Sequence, residues 1–143
     1  MINEQEKPHK SIWFLSAALA CVGAGQSTVF ILIPSEVRNL GFSEFEVGLI
    51  FSISALAWMI FSPFWGRLSD RFGRGAIFLI GMIGFALSMA SFAAILISAQ
   101  NLFLPLALVF PLLVLTRLIN GLLGSAVRPA AGGRIADLTS PTT

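Results

Sequence analysis

Charged residues are scarce in this chain: Asp, Glu, Lys and Arg make up 11% of its 143 residues, against about 25% in a typical soluble domain. Hydrophobic residues make up 56%. With one cysteine and one histidine, Cys21 and His9, the chain has no disulfide framework and no zinc ligand set. No nucleophile–base pair or phosphate loop can be assembled, and a net charge of +2 does not mark a nucleic-acid binder. The composition predicts a membrane protein, with the lipid bilayer as partner, that is not an enzyme and binds neither metal nor nucleic acid.

Four apolar stretches are long enough to cross a bilayer, which takes about 20 residues of helix. Apart from Glu46 in the first turn of the second stretch, none contains Asp, Glu or Lys, and only the fourth contains an arginine, Arg117. Pro34 is predicted to close the first stretch, and Ser43 with Glu46 has the spacing of a capping box that begins the second. Two prolines predict an irregular start for the fourth. The predicted spans are about 12–33, 45–65, 77–97 and 106–127, between a polar tail (1–11) and a terminal segment (128–143).

Basic residues lie mainly on one side of these spans. Two precede the first span, three lie between the second and third, and two follow the fourth, whereas Arg38 lies on the opposite side. By the positive-inside rule, both termini are predicted to be cytoplasmic in a multi-pass protein of the cell membrane. The residues on the cytoplasmic side are Lys7, Lys10, Arg67, Arg71, Arg74, Arg128 and Arg134.

The junction at residues 66–75 reads GRLSDRFGRG, with Asp70 three residues after Arg67 and four before Arg74. If the segment is helical, these spacings place opposite charges on one face. The junction resembles the G-x-L-[SA]-D-R-x-G-R-[RK] signature of the major facilitator superfamily and departs from it at Gly75. The resemblance implies a motif that gates transport by bracing the two halves of the transporter; otherwise the charges only set topology. The residues of this gating motif are Gly66, Asp70, Arg71, Gly73 and Arg74.

Further segments resemble the drug-exporting members of that superfamily. Residues 29–34 (VFILIP) resemble the end of their first helix, and residues 117–125 (RLINGLLGS) resemble the R-x-x-x-G-x-x-G motif of their fourth. Residues 129–139 resemble the stretch that follows, although Gly133 and Arg134 replace the usual Ala-Tyr. The resemblance implies an all-α, polytopic fold in which this chain forms the first four of twelve helices. It also implies a proton-coupled exporter of drugs or metabolites that works by alternating access.

Arg117 is predicted at mid-membrane depth, where an arginine costs about 2.5–3.5 kcal/mol on insertion scales. Such a residue usually faces a cavity or a partner, so Arg117, Asn120 and Gln26 are candidates for the transport pathway. The resemblance adds a role for Arg117 in proton coupling, with H⁺ as the coupling ion and no cofactor. The alternative for Arg117 is that it snorkels to an interface or pairs with a backbone carbonyl.

Small and aromatic residues complete the candidate set. Gly121, Gly124 and Ser125 have the spacing of a helix-packing surface, as do similar residues in the third span. Phe30 and Trp58 are candidates for an apolar drug-binding wall.

Members of the resembled family have twelve or more spans, so we expect this chain to be an incomplete or truncated transporter with at most half a substrate cavity. Its partners are then the missing C-terminal helices or a complementary fragment, and a small-molecule substrate once the transporter is complete. No carboxylate lies in the interior of any span, which places the coupling acid elsewhere. Alternatives are a non-transporting remnant, a small docking subunit, or a four-span homo-oligomer, which would need an acid that the first span lacks.

Overall fold

The computed structural model describes residues 6–139, with side chains described for residues 12–133 and 135. This part of the chain is all-α, as predicted. Its elements are α1 (Glu6–Asn39), α2 (Glu44–Phe72), α3 (Arg74–Gln100), α4 (Leu106–Ile119), a π-helical segment (Asn120–Gly124) and α5 (Val127–Thr139). Within the described residues, four helical stretches are long and apolar enough to cross a membrane: Ile12–Asn39, Glu44–Phe72, Arg74–Gln100 and Leu106–Gly133.

Helix α1 continues past Pro34 to Asn39, so the prediction that this proline closes the helix is wrong. Proline removes one main-chain donor and crowds the carbonyl four residues earlier. The last turn nevertheless stays helical because Val37 is fully buried in the largest apolar cluster. The Ser35 hydroxyl also donates to the Leu32 carbonyl at 2.7 Å. Tertiary packing outweighs the lost hydrogen bond here.

Helix α2 begins at the predicted capping box, which is confirmed. The Ser43 hydroxyl accepts from the Glu46 main-chain N–H at 3.3 Å, and the Glu46 carboxylate accepts from the Ser43 main-chain N–H at 2.8 Å. These bonds satisfy donors that the first turn of a helix otherwise leaves unpaired.

The junction between the second and third spans is almost entirely helical, whereas we expected a loop. Helix α2 continues beyond Trp65 to Phe72, and Gly73 alone separates it from α3. Gly73 has a φ of +97°, in the left-handed region that side chains disfavour. Its N–H donates to the Ser69 carbonyl at 3.1 Å. The chain therefore changes direction at one glycine, and the charges of the motif project from helical turns.

The irregular part of the fourth predicted span is a π-helical segment toward its C-terminal end, and not the region of its prolines. Pro111 lies inside α4, whereas residues Asn120–Gly124 are π-helical. A π-helical segment forms main-chain hydrogen bonds between residues five apart instead of four apart. Within this segment, the Leu122 carbonyl accepts a hydrogen bond from Trp65 Nε1 at 2.6 Å. Helix α5 then runs to Thr139, so most of the predicted terminal segment is helical as well.

Small residues bring the helices close together. Helix α3 is antiparallel to the stretch from α4 to α5, and their opposed pairs are Ser88–Thr116, Gly84–Leu123 and Gly81–Val127. A Cβ built on Gly81 would lie 2.8 Å from Val127 Cγ2, so a side chain there would force the helices apart. Helix α2 runs parallel to the same stretch, because Ala57 lies against Gly121 and Gly66 lies against Pro129.

Helix α1 is the least buried of the four spans. In its most apolar window 11% of residues are buried, against 33% in α3, so most of its apolar surface faces outward. The largest apolar cluster joins all four spans at the end of the bundle that carries Val37. Its buried members are Val37, Val47, Ile50, Phe92, Leu96, Ala99, Val109 and Leu113.

Candidate functional site

The gating motif forms a contact among three helices. Asp70, near the end of α2, pairs with Arg74, the first residue of α3, with 3.1 Å between Oδ1 and Nη2. The other terminal nitrogen of Arg74, Nη1, donates to the carbonyl of Gly133 in α5. Asp70 is mostly exposed and Arg74 is largely covered. The contacts of the guanidinium with the Asp70 carboxylate and the Gly133 carbonyl thus connect the ends of α2, α3 and α5.

The contact with Arg74 explains why residue 133 has no side chain. A Cβ built on this residue would lie 2.7 Å from Arg74 Nη1 and 2.8 Å from its Cζ. The absence of a side chain therefore leaves the space that the guanidinium occupies when it reaches the carbonyl. Gly133 is one of the two positions at which residues 129–139 depart from the resembled stretch, and its role depends on a contact with a residue 59 positions away in sequence.

The remaining motif residues lie beside this contact. Gly66 packs next to Pro129 of α5, because a Cβ built on Gly66 would lie 3.8 Å from Pro129 Cβ. Gly73 provides the break between α2 and α3. The Arg71 guanidinium carbon lies 5.9 Å from the ring centroid of Phe72. The structure therefore brings Asp70, Arg74 and the motif glycines together and places Arg71 over a neighbouring ring.

Arg117 is fully buried and points toward α3. Its guanidinium carbon lies 4.2 Å from the centroid of the Phe92 ring, a cation–π distance. Nη2 lies 3.6 Å from Met89 Sδ. Nε and Nη1 have no hydrogen-bond partner among the described residues. The side chain therefore neither snorkels to an end of the bundle nor pairs with a backbone carbonyl, and it keeps unused donors in an apolar setting.

Asn120 is also fully buried, but it faces α2. Its Nδ2 lies 3.4 Å from the hydroxyl of Ser54, and its Oδ1 has no partner within the described part of the chain. Arg117 and Asn120 therefore project toward different helices. Their assignment to the transport pathway stays a prediction.

A cavity of about 190 Å³ lies between α1, α2 and α5. Gln26, the third pathway candidate, lines it, and its Oε1 has no partner among the described residues. Asn120 approaches the cavity through Ser54, whereas Arg117 is turned away on the α3 side. The lining residues are Gln26, Phe30, Ser54, Ala55, Trp58 and Arg128.

Three lining residues had a sequence signal, namely Gln26, Phe30 and Trp58, and three were missed, namely Ser54, Ala55 and Arg128. Phe30 and Trp58, the candidates for an apolar wall, both face the cavity. Ser54 was not singled out, and Arg128 was interpreted only as a cytoplasmic basic residue. Arg128 in fact places its guanidinium carbon 5.2 Å from the indole centroid of Trp58. Because these contacts join distant positions in the sequence, residue spacing carries no signal for them.

The predicted packing residues of the fourth span lie between helices. Gly121 abuts Ala57, and a Cβ on it would lie 2.8 Å from the Ser54 carbonyl oxygen. Gly124 lies beside Trp58 and Phe85. Ser125 is fully buried, and its hydroxyl donates to the Leu122 carbonyl at 3.0 Å.

Comparison with known proteins shows the family of this chain and two similar proteins. The chain matches the Major Facilitator Superfamily over residues 15–143. It is 32% identical to the quinolone resistance protein NorA of Staphylococcus aureus over 131 residues, which are 92% of this chain and 31% of that protein. It is 37% identical to the multidrug resistance protein MdtG of Proteus mirabilis over 130 residues, which are 87% of this chain and 28% of that protein. The chain spans less than a third of the length of these relatives, and no solved structure matches it.

Proposed function

Because the chain belongs to the major facilitator superfamily, a family of multi-pass membrane proteins, we propose that it forms the first four helices of a proton-coupled exporter. The substrates are drugs or metabolites, and both termini lie in the cytoplasm. H⁺ is the coupling ion, and the partners are the remaining helices of the transporter fold. The role is transport and not catalysis. The names of the two relatives, which refer to drug resistance, support this substrate class.

The contact of Asp70 with Arg74 and Gly133 is the observation that carries this proposal. It joins three helices at the end of the bundle where the basic residues cluster, so its formation depends on how those helices are arranged. An ion pair that exists in one arrangement and breaks in another biases the equilibrium between the two. Such a contact alters the rate of alternation without touching the substrate.

Arg117 supports the proton-coupled part of the proposal. It is a fully buried cation whose Nε and Nη1 have no hydrogen-bond partner in the described part of the chain. Ionisable residues of this kind inside a membrane mark substrate or ion pathways. A carboxylate supplied by the rest of the transporter would complete the site.

Transport by the product of the gene that encodes this sequence tests the proposal. Energised vesicles carrying that product should accumulate a fluorescent amphipathic dye, and a protonophore should abolish the accumulation. Asp70→Asn should lower the maximal rate by up to about fivefold, the effect of losing an ion pair of about 0.2–1 kcal/mol. The half-saturating dye concentration should change little, and Asp70→Glu should restore part of the rate.

Glu44→Gln is the matched control, because it removes one carboxylate from the exposed Arg38–Glu44 ion pair, whose atoms are 2.7 Å apart. It should leave both kinetic constants unchanged. Equal losses in Glu44→Gln and Asp70→Asn would contradict the gating role. Dye accumulation that persists in the presence of the protonophore would contradict proton coupling.

A further inference from the structure

Arg128 extends toward the middle of the bundle. It lies next to Pro129, which packs against Gly66 of α2, yet its guanidinium lies over Trp58. Trp58 precedes Gly66 by eight residues, about 12 Å along a helix axis. Helical side chains lean toward the N-terminus of their helix, which here is the direction away from Asp70 and Arg74. A snorkelling arginine would extend the opposite way, toward the nearer end of the bundle.

The cavity that Arg128 enters contains polar atoms without partners. Gln26 Oε1 and Trp58 Nε1 are both inaccessible and have no hydrogen-bond partner among the described residues. Within that part of the chain, the cavity lining includes one charged side chain, Arg128, and no carboxylate. The guanidinium and the indole N–H can only donate, whereas the unpartnered Gln26 Oε1 accepts. Because Arg128 supplies the charge of this lining, the cavity favours a ligand group that carries negative charge and accepts hydrogen bonds from the guanidinium.

The size and apolar walls of the cavity limit the rest of the ligand. Phe30 stacks on Phe51 with ring centroids 5.1 Å apart, and Phe30 and Ala55 both line the cavity. The volume of about 190 Å³ is several times the ~30 Å³ share of one water. It is below the roughly 300–1,000 Å³ of a pocket for a whole drug. One aromatic ring with a small charged substituent suits this space.

From these observations we infer that the cavity between α1, α2 and α5 is a subsite for an aromatic carboxylate. The carboxylate binds the guanidinium of Arg128, and the ring packs between Phe30 and Trp58. This inference rests on the proposed export function and specifies its substrates as amphipathic molecules with an anionic group. Arg128, which the sequence indicates only as a topology signal, becomes the residue that selects for charge.

Binding of three matched probes to the 143-residue chain tests the inference. The chain is reconstituted in phosphatidylcholine nanodiscs, and ¹⁹F NMR measures the affinities of 4-fluorobenzoate, 4-fluorobenzamide and 4-fluorobenzylammonium, with empty nanodiscs subtracted. We expect the benzoate to bind about tenfold or more tightly than the neutral amide, the effect of one charge-assisted hydrogen bond. The ammonium should bind most weakly.

Three variants assign the charge preference to a residue. Arg128→Gln should abolish the preference for the benzoate, Arg128→Lys should retain part of it, and Trp58→Phe should weaken benzoate binding severalfold. Arg38→Gln removes an equal charge at the other end of the bundle and should leave the preference intact. Circular dichroism of each variant verifies its helical content.

The inference is overturned if the unmodified chain binds the three probes equally, or if Arg128→Gln keeps the benzoate preference. The probe comparison in the unmodified chain needs no variant to fold. Loss of benzoate binding when phosphatidylglycerol is added to the nanodiscs would assign the site to a lipid headgroup and also overturn it. Benzoate binding without proton-driven transport would leave the subsite standing and refute the export function. Transport without a benzoate preference would do the reverse.

Discussion

Gly121 is a position at which one added methyl group should loosen the bundle. A Cβ there would lie 2.8 Å from the Ser54 carbonyl oxygen and would overlap the Cβ of Ala57. Neither atom can swing aside, because one belongs to the main chain and the other is fixed by the α2 backbone. Relief requires the π-helical segment to move away from α2, and overpacking of this kind costs about 1–3 kcal/mol.

Helix propensity offsets part of that cost, since replacing a helical Gly by Ala contributes roughly 0.5–1 kcal/mol of stability. Gly121→Ala should therefore lower the free energy of unfolding by about 1–2 kcal/mol. Gly48→Ala in α2 is the matched control, because a Cβ on Gly48 meets no atom within 4 Å. It should raise the free energy of unfolding by up to about 1 kcal/mol.

Titration of the purified chain from a mild detergent into sodium dodecyl sulfate, followed by far-ultraviolet circular dichroism, gives the free energy of unfolding. The comparison is between two Gly→Ala changes of identical chemistry, so the difference measures packing alone. Values for the two variants that agree within about 0.5 kcal/mol would refute the close contact between Gly121 and α2.

The same titration checks three further substitutions and one control. Ser43→Ala should lower the free energy of unfolding by about 1 kcal/mol, because it removes a helix cap; an unchanged value would contradict the capping box as a stabilising feature. Trp65→Phe should cost about 0.5–1.5 kcal/mol, since the Leu122 carbonyl loses its indole donor, and Trp13→Phe, at a side chain that is 74% exposed, should be neutral. Arg117→Met should raise the free energy of unfolding by about 1–4 kcal/mol, because an apolar side chain replaces a buried charge, while abolishing proton-driven transport; a loss of stability would show that the guanidinium is well accommodated.

The four membrane-spanning stretches and their helical type follow from the sequence, whereas several of the helix ends do not. Long apolar runs of about 20 residues require helices in a bilayer because every main-chain polar group must be paired internally. The end of α1 depends on the burial of Val37, which residues near Pro34 in sequence do not reveal. The end of α2 depends on Gly73, where one positive φ replaces the expected loop.

Some contacts of the candidate site could also be predicted from the sequence, and others could not. The spacing of Asp70 and Arg74 is short enough for helical periodicity to predict their pairing. The directions of Arg117 and Asn120 depend on which helix lies against each face, and the π-helical segment starts at Asn120. Arg128 shows a further limit, because charge patterning explains its presence without revealing that it reaches back over Trp58.

The acceptor that Gly133 presents to Arg74 is a main-chain oxygen, and this determines how the contact can be lost in evolution. No exchange of polarity or charge at position 133 removes that oxygen; only added volume displaces the guanidinium that reaches it. A substitution at position 133 therefore breaks this contact through size, whereas a substitution at Asp70 breaks its contact with Arg74 through charge. Two contacts of one guanidinium are thus sensitive to different kinds of mutation.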